Sequence, residues 1–419
     1  MTAIIRAASA HDFLALVPAL AGFLPERSLL CIVFAGNRSV GVLRHDLPAT
    51  EAEHDRLVSA VIGTICRIAE VDAIVPVVYT DDRFADGGGM PQRALLELVA
   101  DRAGQAGFLV RDALCQASDG WSSLLDQDAP ATGRPLAMVE SSAALGDVPH
   151  RDRIPTGAGG GAMLPSASAD RVEAVARALE EFRDLPSIES AMSGLGRDAD
   201  PVELVETLVG RARRRPVDAR RLAWFLHLAS RPPFRDAMML QIAFGRMVGE
   251  LAHEVSHVPG DTGDVEDEAE DGGRQAGGGG RQVGQTGRAG KTRRARRAEA
   301  FDDAEHEGVD DVLARLIMGR SMLRPDPARV ERGLAALRDA IAHAPAAERS
   351  GSLCIAGWLA WTQGRGSDAG AFLDSALTCE PGHSMSSLLA EYIGSGALPE
   401  WVFVRPDRTD EHHGAVSGL

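Results

Sequence analysis

The stretch that decides the fold is SLLCIVFAGNRSVGVLRHDL, residues 28–47. It holds two runs of strand-forming residues, SLLCIVFA and SVGVLRHDL, joined by the short link Gly36-Asn37-Arg38. Two apolar runs with a link of this composition are typical of a β-hairpin. The stretch therefore predicts two antiparallel strands, with residues 44–46 at the end of the second one.

The segments around this hairpin have the pattern of helices. Residues 8–23 carry apolar side chains at helical spacing. Thr50-x-x-Glu53 is a capping box, a pair of residues that bonds the free amides at the start of a helix. A further helix begins at Pro91, because a proline at the first helical position sacrifices no hydrogen bond.

Two other apolar segments are typical of strands, DAIVPVVY (72–79) and FLVRDALCQA (108–117). Pro76 cannot donate a hydrogen bond within a sheet, so it favours an edge position or a bulge for the first of them. The resulting order, β-β-α-β-α-β, predicts an α/β fold with a mixed sheet flanked by helices, followed by an all-α region.

Beyond residue 165 the pattern is helical with one interruption. Residues 261–271 carry seven acidic residues and residues 274–297 carry eight basic ones, with hardly any large apolar side chain. Such a composition is typical of a disordered, charge-segregated linker. The predicted organisation is an α/β domain (1–165), a helical region packed on it (166–257), the linker (258–305), a tetratricopeptide-like helical region (306–405) and a disordered tail (406–419).

The last helical region carries a repeat signal. Gly357, Ala369, Ala376 and Pro381 fall at the spacing of the small-residue and proline positions of a tetratricopeptide repeat. Small residues there let two antiparallel helices approach closely. The pattern leaves two interpretations open, a small bundle with tight helix pairs or a repeat surface that binds a protein partner.

Composition limits the classes of partner and compartment. A formal net charge of −16 over 419 residues argues against nucleic acid or an anionic membrane as the main partner. No apolar run approaches the roughly 18 residues of a membrane span. The five cysteines are scattered and never spaced C-x-x-C, so reduced thiols are expected rather than disulfides or a zinc finger. We therefore expect a cytoplasmic protein.

One stretch, HEVSH, fits the H-E-x-x-H pattern of zinc hydrolases. A helix over residues 235–256 would place His253 and His257 on one face as zinc ligands, with Glu254 as the general base. The position of a third histidine ligand is Gly263, however, and a proline ends the helix at once. We favour two surface histidines at a helix C-terminus and no cofactor, with zinc as the alternative.

Two glycine-rich stretches are similar to phosphate-binding loops. GRAGKT (287–292) lacks the first glycine of its motif, since that position is Gln285, and it follows no strand. GAGGGA (157–162) follows Pro155 rather than a buried strand. Both are interpreted as coincidental matches.

Several blocks of the sequence together resemble a known family. They are VPALAGFLPERSLLCIVFAG, LRHDLP, the tripeptide Gly120-Trp121-Ser122 and a C-terminal block that begins GWLAWTQGRGSDAGAFLDSALTCEPGHS. In these blocks the chain is similar to an actinobacterial family catalogued as domain of unknown function 4192. The resemblance implies an intracellular protein whose N-terminal α/β part and C-terminal helices belong to one unit. Members often carry paired cysteines shortly after the Trp-Ser, and residues 126–136 hold none, so no metal or redox role of such a pair is expected.

The family blocks also contain the residues that we expect to bind a ligand, because strand ends beside loops are where α/β domains place ligand contacts. The alternatives are structural: an ion pair at a strand end, an aspartate that fixes a turn, or a tryptophan that fills the core. The candidate ligand-binding residues are Glu26, Arg27, Ser28, Arg44, His45, Asp46 and Trp121.

These observations favour a non-enzymatic module that binds a small ligand or a protein partner. Trp358 and Trp361 share a helix face, which either packs the C-terminal helices or, if exposed, forms a partner groove. The alternative is a zinc-dependent hydrolase that uses HEVSH. No G-x-S-x-G motif supplies a nucleophile, so whether the chain is an enzyme stays open.

Overall fold

The structure is a computed structural model that describes residues 7–148, 154–183, 194–210, 217–256 and 308–403. The predicted linker and tail lie outside these residues. Contacts divide the chain into two compact units, one of residues 1–166 with 356–419 and one of residues 167–355. The predicted helical region 306–405 contributes to both units, and the domain boundaries stay a prediction. None of the helices in the described ranges is long and apolar enough to cross a membrane.

The described part of the first unit forms a sheet of six strands: β1 (Ser28–Ala35), β2 (Arg38–Asp46), β3 (Ala73–Tyr79), β4 (Leu109–Val110), β5 (Leu114–Gln116) and β6 (Trp121–Ser123). Their order is β2-β1-β3-β5-β6, and β4 also pairs with β3. β1 is antiparallel to β2 and β3, β3 is parallel to β4 and β5, and β5 is antiparallel to β6. The predicted α/β class with a mixed sheet is confirmed.

The hairpin predicted from the opening stretch is present. β1 and β2 are joined by a two-residue turn in which Gly36 has a φ of 54°, a left-handed conformation that glycine adopts without strain. The Gly36 amide donates to the Asp72 carboxylate (2.9 Å), and its carbonyl accepts from the Arg111 guanidinium (2.6 Å). These bonds fix the turn to the neighbouring loops.

Of the two positions predicted for Pro76, a sheet edge or a bulge, the edge is wrong, because β3 lies between β1 and the β4–β5 pair. Pro76 pairs with Cys31 of β1 on one side. On the other side, residues 73–74 pair with β4 and residues 77–79 with β5, so the neighbouring strand is interrupted beside the proline. The proline thus lies beside a gap in the neighbouring strand, where its missing N–H costs no hydrogen bond. The single strand predicted over 108–117 is two short strands on either side of that gap.

Helices cover both faces of this sheet. One face carries α1 (Ala10–Ala21) and α5 (Ala137–Glu140), and the other carries α2 (His54–Ile65) and α4 (Arg93–Gln105), with α3 (Phe84–Gly87) between β3 and α4. Alternate side chains of β1 point to the two faces, so Leu30 and Ile32 belong to the core beneath α1, while Leu29 and Cys31 belong to the core beneath α2 and α4. A strand covered on both faces is apolar throughout, which explains the SLLCIVFA run.

The second unit is helical. The single helix predicted over 235–256 is two helices, because Gly245 has a φ of 98° and ends the first of them. The described helices are α6 (Ala169–Arg183), α7 (Pro201–Val209), α8 (Ala219–Ala229), α9 (Pro232–Phe244), α10 (Arg246–Ser256), α11 (308–317) and α12 (Pro327–His343). The Glu206 carboxylate of α7 accepts hydrogen bonds from Gln241 of α9 (3.0 Å) and from Arg329 of α12 (2.7 Å), so it joins three helices.

Three further helices follow: α13 (Ser350–Thr362), α14 (Gly366–Cys379) and α15 (Ser384–Gly394). The predicted close helix pair is present, since a Cβ at Gly357 would lie 2.8 Å from the Leu373 side chain of α14. Trp358 and Trp361 are fully buried, and the Trp361 indole donates to the Ala397 carbonyl oxygen (2.8 Å). The two tryptophans therefore pack helices together, and whether these helices are tetratricopeptide repeats stays a prediction.

Candidate functional site

The C-terminal ends of β2, β3 and β5 lie side by side along one edge of the sheet, the edge formed by strand ends. The strand register places Asp46, Ser28, Tyr79, Gln116 and Trp121 side by side in one row across five strands. α/β proteins bind ligands outside the carboxyl ends of their strands. The two predicted groups of polar residues, at the start of β1 and the end of β2, are thus brought together at this edge.

Most of these predicted residues bind one another. Ser28 is fully buried, and its hydroxyl donates to the Glu26 carbonyl oxygen (2.5 Å) and accepts from Nε of Arg44 (3.0 Å). A terminal nitrogen of Arg44 contacts the exposed Asp46 carboxylate. The group therefore ties the start of β1 to the end of β2.

The other predicted residues have separate surroundings. Arg27 has a left-handed φ of 41°, and its exposed side chain lies 3.9 Å from the carboxylate of Asp81, which is also exposed. His45 is half-buried, and desolvation lowers the pKa of its imidazole, helped by the preceding arginine and opposed by the following aspartate. Trp121 is 3% exposed and packs in the core beneath α1, where its indole N–H has no acceptor among the described residues. Trp121 thus fills the core.

A cavity of about 340 Å³ opens at the same edge, between the N-termini of α2 and α4. α2 follows β2 after a loop and a short 3-10 helix (Glu51–Glu53), and α4 follows β3 after a loop that includes α3. We call this space the α2–α4 cavity; its lining residues are Pro48, Ala49, Thr50, Glu51, His54, Met90, Gln92, Arg93 and Ala94.

The capping box predicted at Thr50 shapes one wall of the α2–α4 cavity. The Glu53 carboxylate accepts from the amides of Ala49 (3.0 Å) and Thr50 (3.3 Å), and it thereby turns the chain into α2. His54 comes next, at the head of the buried stripe that continues with Val58. Its side chain is 8% exposed, lines the cavity and has no hydrogen-bond partner among the residues that the structure describes.

The N-terminus of α4 forms the opposite wall. Gln92 precedes the helix with a left-handed φ of 56°, and α4 has no side-chain cap. The Gln92 side-chain amide instead donates to the Asp82 carboxylate (3.1 Å). Arg93 is 59% exposed, lines the cavity, and donates from its Nε to Glu97 (2.7 Å).

The α2–α4 cavity is lined by a mixture of hydrogen-bond donors, acceptors and apolar side chains. At α4 the first amides have no acceptor within the helix and lie at the positive end of the helix dipole. The start of α2 is already capped by Glu53, and the His54 amide bonds the Glu51 carbonyl oxygen. The His54 imidazole and the Arg93 guanidinium add side-chain donors, while Glu51 is the acidic residue of the lining. This arrangement can donate several hydrogen bonds to one small ligand.

The HEVSH stretch lies elsewhere, on α10 of the second unit. His253 is buried and packs against the Phe234 ring, with 5.8 Å between the ring centroids, so the prediction of a surface histidine is wrong at this position. Glu254 is exposed, and His257 lies outside the described residues. Within the described ranges, no group of three or more His, Cys, Asp or Glu side chains is placed to hold a metal ion.

The glycine-rich stretch 157–162 packs against α14. The Gly161 amide donates to the Asp368 carboxylate (3.0 Å), and a Cβ at Gly159 would lie 3.0 Å from Ala371. These glycines therefore allow a loop to approach a helix closely. The other stretch, 287–292, lies outside the described residues.

The fold and the α2–α4 cavity define an α/β protein with an additional helical unit and a candidate ligand cavity at the ends of its strands. The family model described as Domain of unknown function (DUF4192) matches residues 11–258 and 266–400. The chain belongs to this family, which confirms the resemblance noted from the sequence blocks. No curated protein matches the chain, and no solved structure does.

The sequence contains signals for both walls of this cavity, but the two signals are far apart along the chain. The capping box at Thr50 and the proline at position 91 each predicted a helix start. Both helix starts follow strands whose carboxyl ends share an edge, and His54 is the polar residue directly after the box. What was missing was the strand order, which brings the two helix starts together.

Proposed function

We propose that the chain is a non-enzymatic module that binds a small ligand in the α2–α4 cavity. The observation that carries this proposal is the α2–α4 cavity itself, a space of about 340 Å³ at the strand ends whose lining includes the largely buried His54 side chain. None of the residues that the structure describes bonds the His54 ring, so the ring can bond a ligand that enters the cavity.

Two further features support a ligand site at this position. The cavity lies at the carboxyl edge of the sheet, where α/β domains bind ligands, and its volume of about 340 Å³ is within the range of small-molecule pockets. Gln92 holds a left-handed backbone conformation beside it, and such strain is concentrated at functional sites. A small ligand is favoured over a protein partner, because the tryptophan pair that could have formed a partner groove is buried.

The proposal is tested by saturation-transfer NMR with a panel of anionic, neutral and cationic fragments of matched size. Ala94→Trp fills the cavity from an exposed position in the first turn of α4. Ala106→Trp, just beyond the other end of the same helix, is the matched control. We expect at least one fragment to bind the parent and the Ala106→Trp variant, and to be lost from Ala94→Trp. Fragments that bind all three proteins alike, or none of them, would remove the proposal.

A further inference from the structure

We infer that the free side of β2 pairs with β2 of a second copy of this chain, so that two molecules form one continuous antiparallel sheet about a two-fold axis. This inference goes beyond the proposed function, because it concerns self-association and does not depend on a ligand in the α2–α4 cavity. Its basis is an open strand whose apolar centre and oppositely charged ends are complementary to themselves.

The two outermost strands of the sheet differ in how their free sides are covered. β6 is three residues long, and the Trp121 amide and carbonyl both bond the backbone of Arg134, over 2.9 and 2.7 Å. β2 is nine residues long and lies at the other end of the strand order, and no backbone group of the described residues bonds its outer side. A long strand with free N–H and C=O groups is a template for pairing with another strand. β2 is therefore the strand at which this sheet can be extended.

The charges of β2 favour an antiparallel copy of the same strand. Arg38 begins the strand, is exposed and makes no ion pair with another residue that the structure describes. Asp46 ends the strand, and its side chain is 80% exposed. Antiparallel pairing centred on Val42 brings each Arg38 to the Asp46 of the other copy, so the same ion pair forms twice. A parallel copy would instead bring like charges together at both ends.

The centre of β2 is apolar and open to solvent in part. Val40 is 50% exposed, and Val42 and Leu43 are half-buried, so a second strand would remove apolar surface from water. Val40 has no partner in β1, and this bulge offsets the start of the strand by one position. An arginine side chain spans such an offset, because diagonal neighbours on paired strands stay within reach of long side chains. One pair of strands covers a small area, so we expect a weak dimer that depends on concentration.

The test is sedimentation equilibrium of the full chain from micromolar to millimolar concentration, with charge-reversal variants. We expect the parent to dimerise reversibly. Arg38→Asp and Asp46→Arg each bring like charges together twice and should weaken dimerisation about ten-fold. An equimolar mixture of these two variants should dimerise as the parent does, because each contact again joins an acidic and a basic residue. Arg56→Asp, the same charge change at an exposed arginine of α2, should leave dimerisation unchanged.

Asp46→Arg also removes the contact with Arg44, so a second measurement needs no substitution. Hydrogen exchange of β2 peptides from the parent should become slower as the concentration rises into the dimer range, because pairing protects the free amides. A parent that stays monomeric, equal dimerisation of Arg38→Asp and Arg56→Asp, or β2 exchange that is the same in monomer and dimer would each overturn the inference. Two folded variants whose mixture stays monomeric would overturn it as well.

Discussion

Replacing Ser28 with alanine tests whether the polar group at the base of the hairpin holds the sheet together. The hydroxyl is fully buried and makes two hydrogen bonds. Ser28→Ala removes both bonds. Water can replace the one to the Glu26 carbonyl oxygen, because Glu26 is exposed. The Arg44 side chain is only 20% exposed, so water replaces its charged hydrogen bond poorly. Such a bond contributes about 1.5–3 kcal/mol, so we expect Ser28→Ala to lower the free energy of opening of the hairpin by about 2 kcal/mol.

Hydrogen exchange measured by mass spectrometry on peptides from β1 and β2 reads this free energy, because exchange follows the opening of the strands. A loss of about 2 kcal/mol corresponds to roughly 30-fold faster exchange. Ser39→Ala, at an exposed serine of β2, is the matched control and should leave exchange unchanged. Equal exchange in the two variants would refute the reasoning. If Ser28→Ala abolishes fragment binding and leaves exchange unchanged, Ser28 would be a ligand contact, as predicted from the sequence.

Three other perturbations have defined outcomes. Gly357→Ala places a methyl group 2.8 Å from the leucine of α14 that faces it and should cost about 1–3 kcal/mol, whereas Gly370→Ala, with no neighbour within 4 Å, should gain about 1 kcal/mol. Hydrogen exchange in α13 and α14 measures both, and equal effects would contradict the close helix pair. Ser142→Ala removes the hydrogen bond that contributes most to the lowered pKa of Asp12, so NMR titration should find that pKa closer to 3.8. The Asp12 carboxylate stabilises the fold fully above pH 3.8, and this stabilisation is lost as the pH falls through the lower folded-state pKa. Ser142→Ala should make this stabilisation smaller. An unchanged Asp12 titration would exclude Ser142 as the cause of the lowered pKa. His253→Ala should weaken α10 by about 1–3 kcal/mol through lost packing, seen as faster exchange there. Plasma mass spectrometry should find no stoichiometric zinc in the parent. Stoichiometric zinc that is lost in His253→Ala would instead support the zinc-hydrolase alternative.

Elements with a long, regular pattern could be predicted from the sequence, because local signals suffice to define them. The helix expected over residues 8–23 is α1, which the Ser9 hydroxyl caps at its start and Gly22, with a φ of 82°, ends. β4 and β5 could not be predicted in the same way. They are two and three residues long, and they exist because β3 offers them a partner on either side of Pro76.

The break at Gly245 was missed for a different reason. Helical periodicity continues on both sides of it, and a single glycine inside a helical pattern is compatible with either an intact helix or a helix end. Its φ of 98° decides for an end, and that conformation depends on how α9 and α10 pack together.

Half of the candidate site could be predicted. The start of β1 and the end of β2 share an edge because a tight hairpin requires it, and this fixes Ser28 next to Asp46. The α2–α4 cavity also needs β3 on the far side of β1, which is a choice of tertiary pairing. His54 carried no signal of its own, because a histidine on the inner face of a helix is most often packed in a core.

The division of the chain has a consequence for its synthesis. The polypeptide leaves the first unit at residue 166 and returns to it at residue 356. A ribosome therefore releases the whole second unit before the helices that complete the first one, and domains generally fold as they emerge. The Gly161 amide can bond the Asp368 carboxylate only after more than two hundred further residues have been synthesised. The part of the protein that is translated first is thus the last to be finished, and a nascent chain that stalls before residue 356 presents an incomplete sheet unit to chaperones and proteases.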